Sequence, residues 1–225
     1  MPLILLTGAG FSRNWGGWLA NEVFEYLLGQ DGLHLRTREL LWDHKERGTG
    51  FEGVYQALPP GLYRPIDGSF SVTDRHQPYF KLHGSSNWTL PDRSDLMLII
   101  GGNKVTGINS SPLLSWYREQ FRKLLHGARV VIIGYSFQDE HINDDLMNAA
   151  KTGARFFVVD PSGVDIIDKR KLAQIPQPRE PLMETLMRNI DGASRRPLRS
   201  TFDGDEIEWR KLDHFMTADS RGLRP

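Results

Sequence analysis

Leu3-Ile4-Leu5-Leu6-Thr7-Gly8-Ala9-Gly10-Phe11-Ser12 opens the chain with four consecutive apolar residues that run straight into a glycine turn. A short continuous run, rather than an alternating one, is the pattern of a strand buried on both faces of a parallel sheet. Behind the turn, Trp18, Leu19, Val23, Tyr26 and Leu27 recur at helical spacing, and Gly29 marks a stop. The same strand, turn and helix recur downstream. Val130 to Ile133 ends at Gly134, a helix is expected from about Asp139 to Ala150, and Phe156 to Val159 ends at Asp160-Pro161. Strands of this kind separated by helices predict an α/β fold, a mostly parallel sheet with helices on both faces.

Between these units, Tyr79 to Leu82 is expected as a strand running into His83-Gly84-Ser85, and Leu96 to Ile100 as another. Ser111-Pro112 reads as a helix start, with Ser as N-cap and Pro in the first helical position. Leu113, Trp116, Tyr117, Phe121, Leu124 and Leu125 line one face of that helix, and Gly127 ends it. Two further helices are expected over 36–47 and 51–58, the second halted by Pro59-Pro60, and 59–78 reads as loop. Beyond 161 the chain turns to short charged pieces, with helical periodicity over 182–190 and 205–216 and a candidate strand over 197–202. The expected organisation is a domain over 1–161 and a small helical C-terminal appendage over 162–225, serving packing or assembly.

Composition narrows the function. The chain has 225 residues, 28 Lys+Arg against 28 Asp+Glu, and no cysteine. Disulfide scaffolds and thiolate zinc sites are excluded. Zero net charge provides no global field for a phosphate backbone, so nucleic acid is expected only indirectly, through local clusters such as Lys169-Arg170-Lys171 and Arg195-Arg196. No apolar run approaches the ~18 residues of a membrane span. The N-terminus lacks a basic region and a cleavage site, and the expected location is cytoplasmic.

Chemistry is expected at strand ends. Gly8, Ala9 and Gly10, with Phe11 and Ser12, form a turn in which glycine lets the backbone approach a phosphate, while the N–H groups opening the next helix point at the anion. The same stretch also suits a tight turn without a ligand. His83 lies at the predicted end of a strand, where it is either a reacting group or a structural histidine. Gly134 and Ser136 again place a glycine and a hydroxyl between strand and helix, although Ser136 or Asp139 also suits a plain N-cap. Asp160 either accepts hydrogen bonds from ribose hydroxyls or only starts a turn with Pro161. The acidic run Asp139 to Asp145 is what a helix dipole attracts to a first turn, and no metal is expected there.

Taken in order, TGAGFS at 7–12, KLHGS at 81–85, GYSFQDEHIN at 134–143 and VVDP at 158–161 resemble the SIR2-like family of prokaryotic antiviral-defence proteins. The resemblance covers roughly the first 160 residues. It implies a Rossmann-like sheet that binds NAD+ and hydrolysis of NAD+ to nicotinamide and ADP-ribose, an abortive-infection defence against phage. By the same resemblance Gly8, Ala9, Gly10 and Ser12, with Phe11 among them, match the phosphate-contacting turn. His83 matches the active-site histidine, Gly134 and Ser136 a second cofactor-contacting loop, and Asp160 the place where the adenosine ribose is met. NAD+ is then substrate, without a metal. Implied partners are further copies of the chain, or an ATPase or nuclease such as a HerA-like ATPase.

Two departures from the family matter. Deacetylating sirtuins carry a four-cysteine zinc module, and this chain has no cysteine, which disfavours deacetylation. The family also carries a strand ending in a Thr-Asn-Tyr-Asp-like segment before HGS, whose asparagine positions water, and none stands between about 58 and 79. Either the asparagine is lost or a segment is missing there. The competing expectation is therefore a catalytically silent module that binds NAD+ or ADP-ribose and assembles with a defence partner. Cyclisation of ADP-ribose is left open as an alternative outcome.

Overall fold

The opening apolar run forms β1 (Leu3–Thr7), which pairs in parallel with β4 (Arg129–Ile133) from Leu3 opposite Arg129 to Thr7 opposite Ile133. β4 pairs in parallel with β5 (Arg155–Val159), and β5 in parallel with β6 (Ile190–Ser194). The order β1-β4-β5-β6 makes a four-stranded parallel sheet. This is the sheet of an α/β, Rossmann-like fold. The computed structural model describes residues 2–8, 11, 32, 34–37, 39, 79–89, 96–99, 104–168, 181–196 and 206–218. The helices expected over 18–29 and 51–58, most of that over 36–47, the loop over 59–78 and the strand over 197–202 lie outside the described residues.

The chain divides into two compact units, one of Met1–Ala20 with Arg122–Pro225 and one of Asn21–Phe121. In the first, every residue of β4 is buried, as are the last four of β5, so both faces of these strands are covered. Helix α3 (Glu140–Lys151) connects them, and α4 (Pro181–Met187) precedes β6. Helix α5 (Glu206–Thr217) inserts Leu212 and Phe215 against Val131, Ile133, Phe157 and Val159. Residues beyond 161, expected as a C-terminal appendage for packing or assembly, supply a strand and a covering helix to the unit that holds β1.

Strand β6 escapes sequence reading because Ile190-Asp191-Gly192-Ala193-Ser194 is no apolar run. Gly192 is what seats it. A Cβ there would stand 2.7 Å from Cε2 of Phe157, so the strand lies under that ring only without a side chain. Arg155 ties the same pair of strands together, its guanidinium on the Asp191 carboxylate and its Nη1 donating to the carbonyl of Arg188 at 3.1 Å.

The second unit corrects one expectation. No strand forms over 79–82; those residues are irregular and end in a turn at 82–83, and β2 (Gly84–Thr89) begins where the strand was expected to end. Phe80 gives its ring to the side of α2 (Pro112–Leu125), edge-on to Tyr117 at 5.3 Å and to Trp116 at 6.2 Å, and so serves a helix rather than a sheet. The chain then reverses, Gly84 N–H donating to the carbonyl of Lys81 at 3.0 Å with Gly84 at φ 77°. β2 pairs antiparallel with β3 (Leu96–Leu98) in a separate two-stranded sheet. His83 therefore precedes an antiparallel strand instead of ending a parallel one.

Helix α2 starts as expected, Leu114 N–H donating to Ser111 Oγ at 3.3 Å. A further helix, α1 (Lys104–Ser110), stands immediately before it. Seven residues with Gly107 in the middle and Ile108 as the buried residue leave no periodicity to read.

Candidate functional site

Four strands end in one row. Thr7, Ile133, Val159 and Ser194 are register partners in succession across the sheet. The ladder continues one residue further: Gly8 N–H donates to the Ile133 carbonyl at 3.0 Å, Gly134 N–H to that of Val159 at 3.2 Å, and Asp160 N–H to that of Ser194 at 3.0 Å. Gly8, Gly134 and Asp160 thus stand side by side at the carboxyl edge of a parallel sheet, the edge where open α/β sheets take their ligands. Each was singled out from sequence, and the structure brings them together.

The glycine at 8 is required by this neighbourhood. A Cβ there would lie 2.4 Å from the carbonyl oxygen of Gly134 and 2.5 Å from Cα of Tyr135, and neither is a flexible side-chain end. The turn after β1 and the loop after β4 therefore touch backbone to backbone. Phe11 N–H closes that turn on the carbonyl of Gly8 at 3.0 Å, and the ring of Phe11 packs on the cluster of Val131, Ile133, Phe157 and Val159. Ala9, Gly10 and Ser12 lie outside the described residues.

The loop over 134–139 alternates its side chains. Tyr135 and Phe137 are buried, with rings 4.8 Å apart, and Ser136 and Gln138 are exposed. Gly134 at φ 60° and Phe137 at φ 53° both occupy the left-handed region, which costs a non-glycine residue about 1 kcal/mol or more. Asp139, not Ser136, holds the N-cap position of α3, and its side chain makes no capping hydrogen bond. Ser136 is thereby available as an exposed hydroxyl at the sheet edge. Tyr135 and Asn143, which sequence reading passed over, fix the loop: the Tyr135 hydroxyl lies 2.9 Å from Asn143 Oδ1 and 3.2 Å from the carbonyl of Asp139, and Asn143 Nδ2 donates to the carbonyl of Phe137 at 2.9 Å. Burial pushes the Tyr135 hydroxyl far above the ordinary tyrosine range, with the nearby Asp139 charge adding to it. It stays protonated, and so a donor, at physiological pH.

Asp160 begins the turn that its pairing with Pro161 predicts. Its Oδ1 accepts Ser162 N–H at 2.8 Å and its carbonyl accepts Gly163 N–H at 2.7 Å. Burial raises the carboxyl above its ordinary value, and the hydrogen bonds from Ser162 partly oppose that. Arg195, one residue past β6, lies over Gly163 and pairs with Asp165 at 3.2 Å.

The acidic run has structural employment: Asp145 receives Arg122 Nε at 2.7 Å, and Asn143 clamps the loop. Among the described residues no group of three His, Cys, Asp or Glu side chains is placed to hold a metal ion. No helix among them is long and apolar enough to cross a membrane. His83 belongs to the other unit, where it is half-buried and its carbonyl accepts Ile99 N–H at 2.8 Å. Ile99 in turn packs with Ile108, Leu113, Leu114 and Trp116.

Residues 46–177 match a family model described as SIR2-like domain. The match covers more than half of the chain, and it includes His83, Gly134, Ser136 and Asp160 while leaving the turn at 8–12 outside. No curated protein and no solved structure matches.

Proposed function

Because the chain belongs to the SIR2-like domain family, its activity is NAD-related, and we propose that it is an NAD+ glycohydrolase, releasing nicotinamide and ADP-ribose as an antiphage defence effector. The observation that supports this best is the row of Gly8, Gly134 and Asp160. Two glycine turns meet at the carboxyl edge of the parallel sheet, where such folds take a pyrophosphate, and a carboxylate two strands along suits a ribose diol. Breaking the bond between nicotinamide and ribose develops oxocarbenium character on the sugar. A neutral histidine that accepts a proton from a ribose hydroxyl or from water lowers that barrier, and His83, in the His83-Gly84-Ser85 segment within the family match, is the histidine assigned to that step.

The second reading is a silent NAD+ or ADP-ribose binding module that assembles with a partner. It is favoured by the absence from residues 58–79 of a Thr-Asn-Tyr-Asp-like segment. Further copies of the chain, or an ATPase or nuclease partner, would serve either reading by restraining or relaying the bound state.

Nicotinamide release from NAD+ by the purified chain, measured beside a His83→Ala variant, separates the two. Hydrolysis with His83 as base predicts release in the wild type and a fall of about 100-fold or more in the variant. NAD+ that binds and is not consumed, alone or in the presence of a co-purifying partner, rejects the hydrolase and leaves the binding module.

A further inference from the structure

We propose that Tyr135 and Asn143 are positioning residues for the dinucleotide, a clamp that fixes the loop carrying the exposed Ser136 where its backbone meets Gly8. This rests on the reading of the row above as an NAD+ site.

Tyr135 and Phe137 are driven into the interior on either side of Ser136, leaving that residue at the apex of a loop anchored twice. Phe137 is fully buried at φ 53°. A non-glycine residue persists in that region only where its surroundings over-determine it. What over-determines it here is the Asn143 amide, whose Nδ2 donates to the Phe137 carbonyl while Oδ1 faces the Tyr135 hydroxyl. The amide has one workable orientation: turned over, its oxygen would confront the carbonyl of Phe137, acceptor against acceptor. A single buried side chain from the first turns of α3 thereby fixes residues 135 and 137 together, and with them the hydroxyl between. Gly134, immediately before, carries the carbonyl that presses on Gly8. The clamp therefore fixes how the loop after β4 meets Gly8, at the sheet edge where a pyrophosphate would lie, without either residue touching the ligand.

The experiment is NAD+ binding to the full chain by calorimetry for the wild type, Tyr135→Phe and Asn143→Asp, beside Leu114→Ala as a control. Tyr135→Phe is isosteric and keeps the ring in place. Asn143→Asp keeps the acceptor for Tyr135 but turns a carboxylate oxygen on the Phe137 carbonyl. Leu114 is buried in the core cluster of the other unit with Ile99, Ile108, Leu113 and Trp116, and its truncation lowers stability through that cluster. The expected result is a Kd raised about fivefold or more by Tyr135→Phe, the scale of one lost hydrogen bond, and further by Asn143→Asp, with Leu114→Ala binding as the wild type does. Folded variants that bind as tightly as the wild type overturn the clamp and leave the NAD+ site standing. Equal weakening in Leu114→Ala reduces the effect to general stability and also overturns it. A wild type that binds no NAD+ removes the functional reading and the clamp with it.

Discussion

Asp160 combines two roles that sequence reading held apart. It starts the turn after β5, through Oδ1 on Ser162 N–H, and it presents a carboxyl at the strand edge. Its folded pKa is raised by burial above the ordinary aspartate value. A folded state that holds its proton more tightly than the unfolded chain is favoured at low pH. This contribution is fully present below the unfolded pKa, near 3.9, and is lost as pH rises through the folded value. At neutral pH the partly buried carboxylate is a cost. Asp160→Asn keeps an oxygen for Ser162 N–H and carries no charge. Its stability relative to wild type should therefore rise between acid and neutral pH, as followed by urea midpoints across that range. In the same variant NAD+ affinity should fall, because a neutral amide oxygen is a weaker acceptor for ribose hydroxyls than a carboxylate. Midpoints that differ by a constant amount at every pH would mean that the Asp160 carboxyl titrates as it does in the unfolded chain.

Between elements, the contact that shapes the candidate site is the one between the turn after β1 and the loop after β4. Gly8→Ala places a methyl group 2.4 Å from the Gly134 carbonyl oxygen, so one strand end must move. The expected loss is about 1–3 kcal/mol in chemical denaturation, the range for overpacking a close contact, together with weakened NAD+ binding. Gly32→Ala is the control, with nothing within 4 Å of its added Cβ, and should stay within about 0.5 kcal/mol of wild type. The strands that meet at this contact were legible because each is a continuous apolar run closed by glycine. The elements that were not legible fail that rule for physical reasons. β6 is carried by Gly192 beneath the Phe157 ring rather than by apolar side chains of its own, and the apolar residues of 79–82 give Phe80 to a helix. At the site, glycine, serine and aspartate were read from their place between strand and helix. Tyr135 and Asn143 were not, because a hydrogen bond eight residues apart across a left-handed turn leaves no periodic trace.

For the molecule as a whole, the question is what the last sixty residues do for the sheet that carries the site. A helix attached without a part in the core would be dispensable, and a substitution on it would stay within the small range of surface changes. The packing argues otherwise. Phe215 lies 5.6 Å from the Phe157 ring centre to centre, and with Leu212 it covers Val131, Ile133 and Val159, alternate residues of the two central strands that end in Gly134 and Asp160. Arg129, the first residue of β4, donates from Nη1 to the carbonyl of Met216 at 3.3 Å, binding the far end of the same helix to the sheet. Removing the Phe215 ring leaves a cavity over the central strands, and Phe215→Ala should cost about 3–5 kcal/mol. A denaturant midpoint, read with an unchanged slope, measures it. A loss below about 0.5 kcal/mol would return α5 to the status of an attached helix. The expected loss makes it the layer that keeps β4 and β5 buried on that face, and with them the register that lines up Gly8, Gly134 and Asp160.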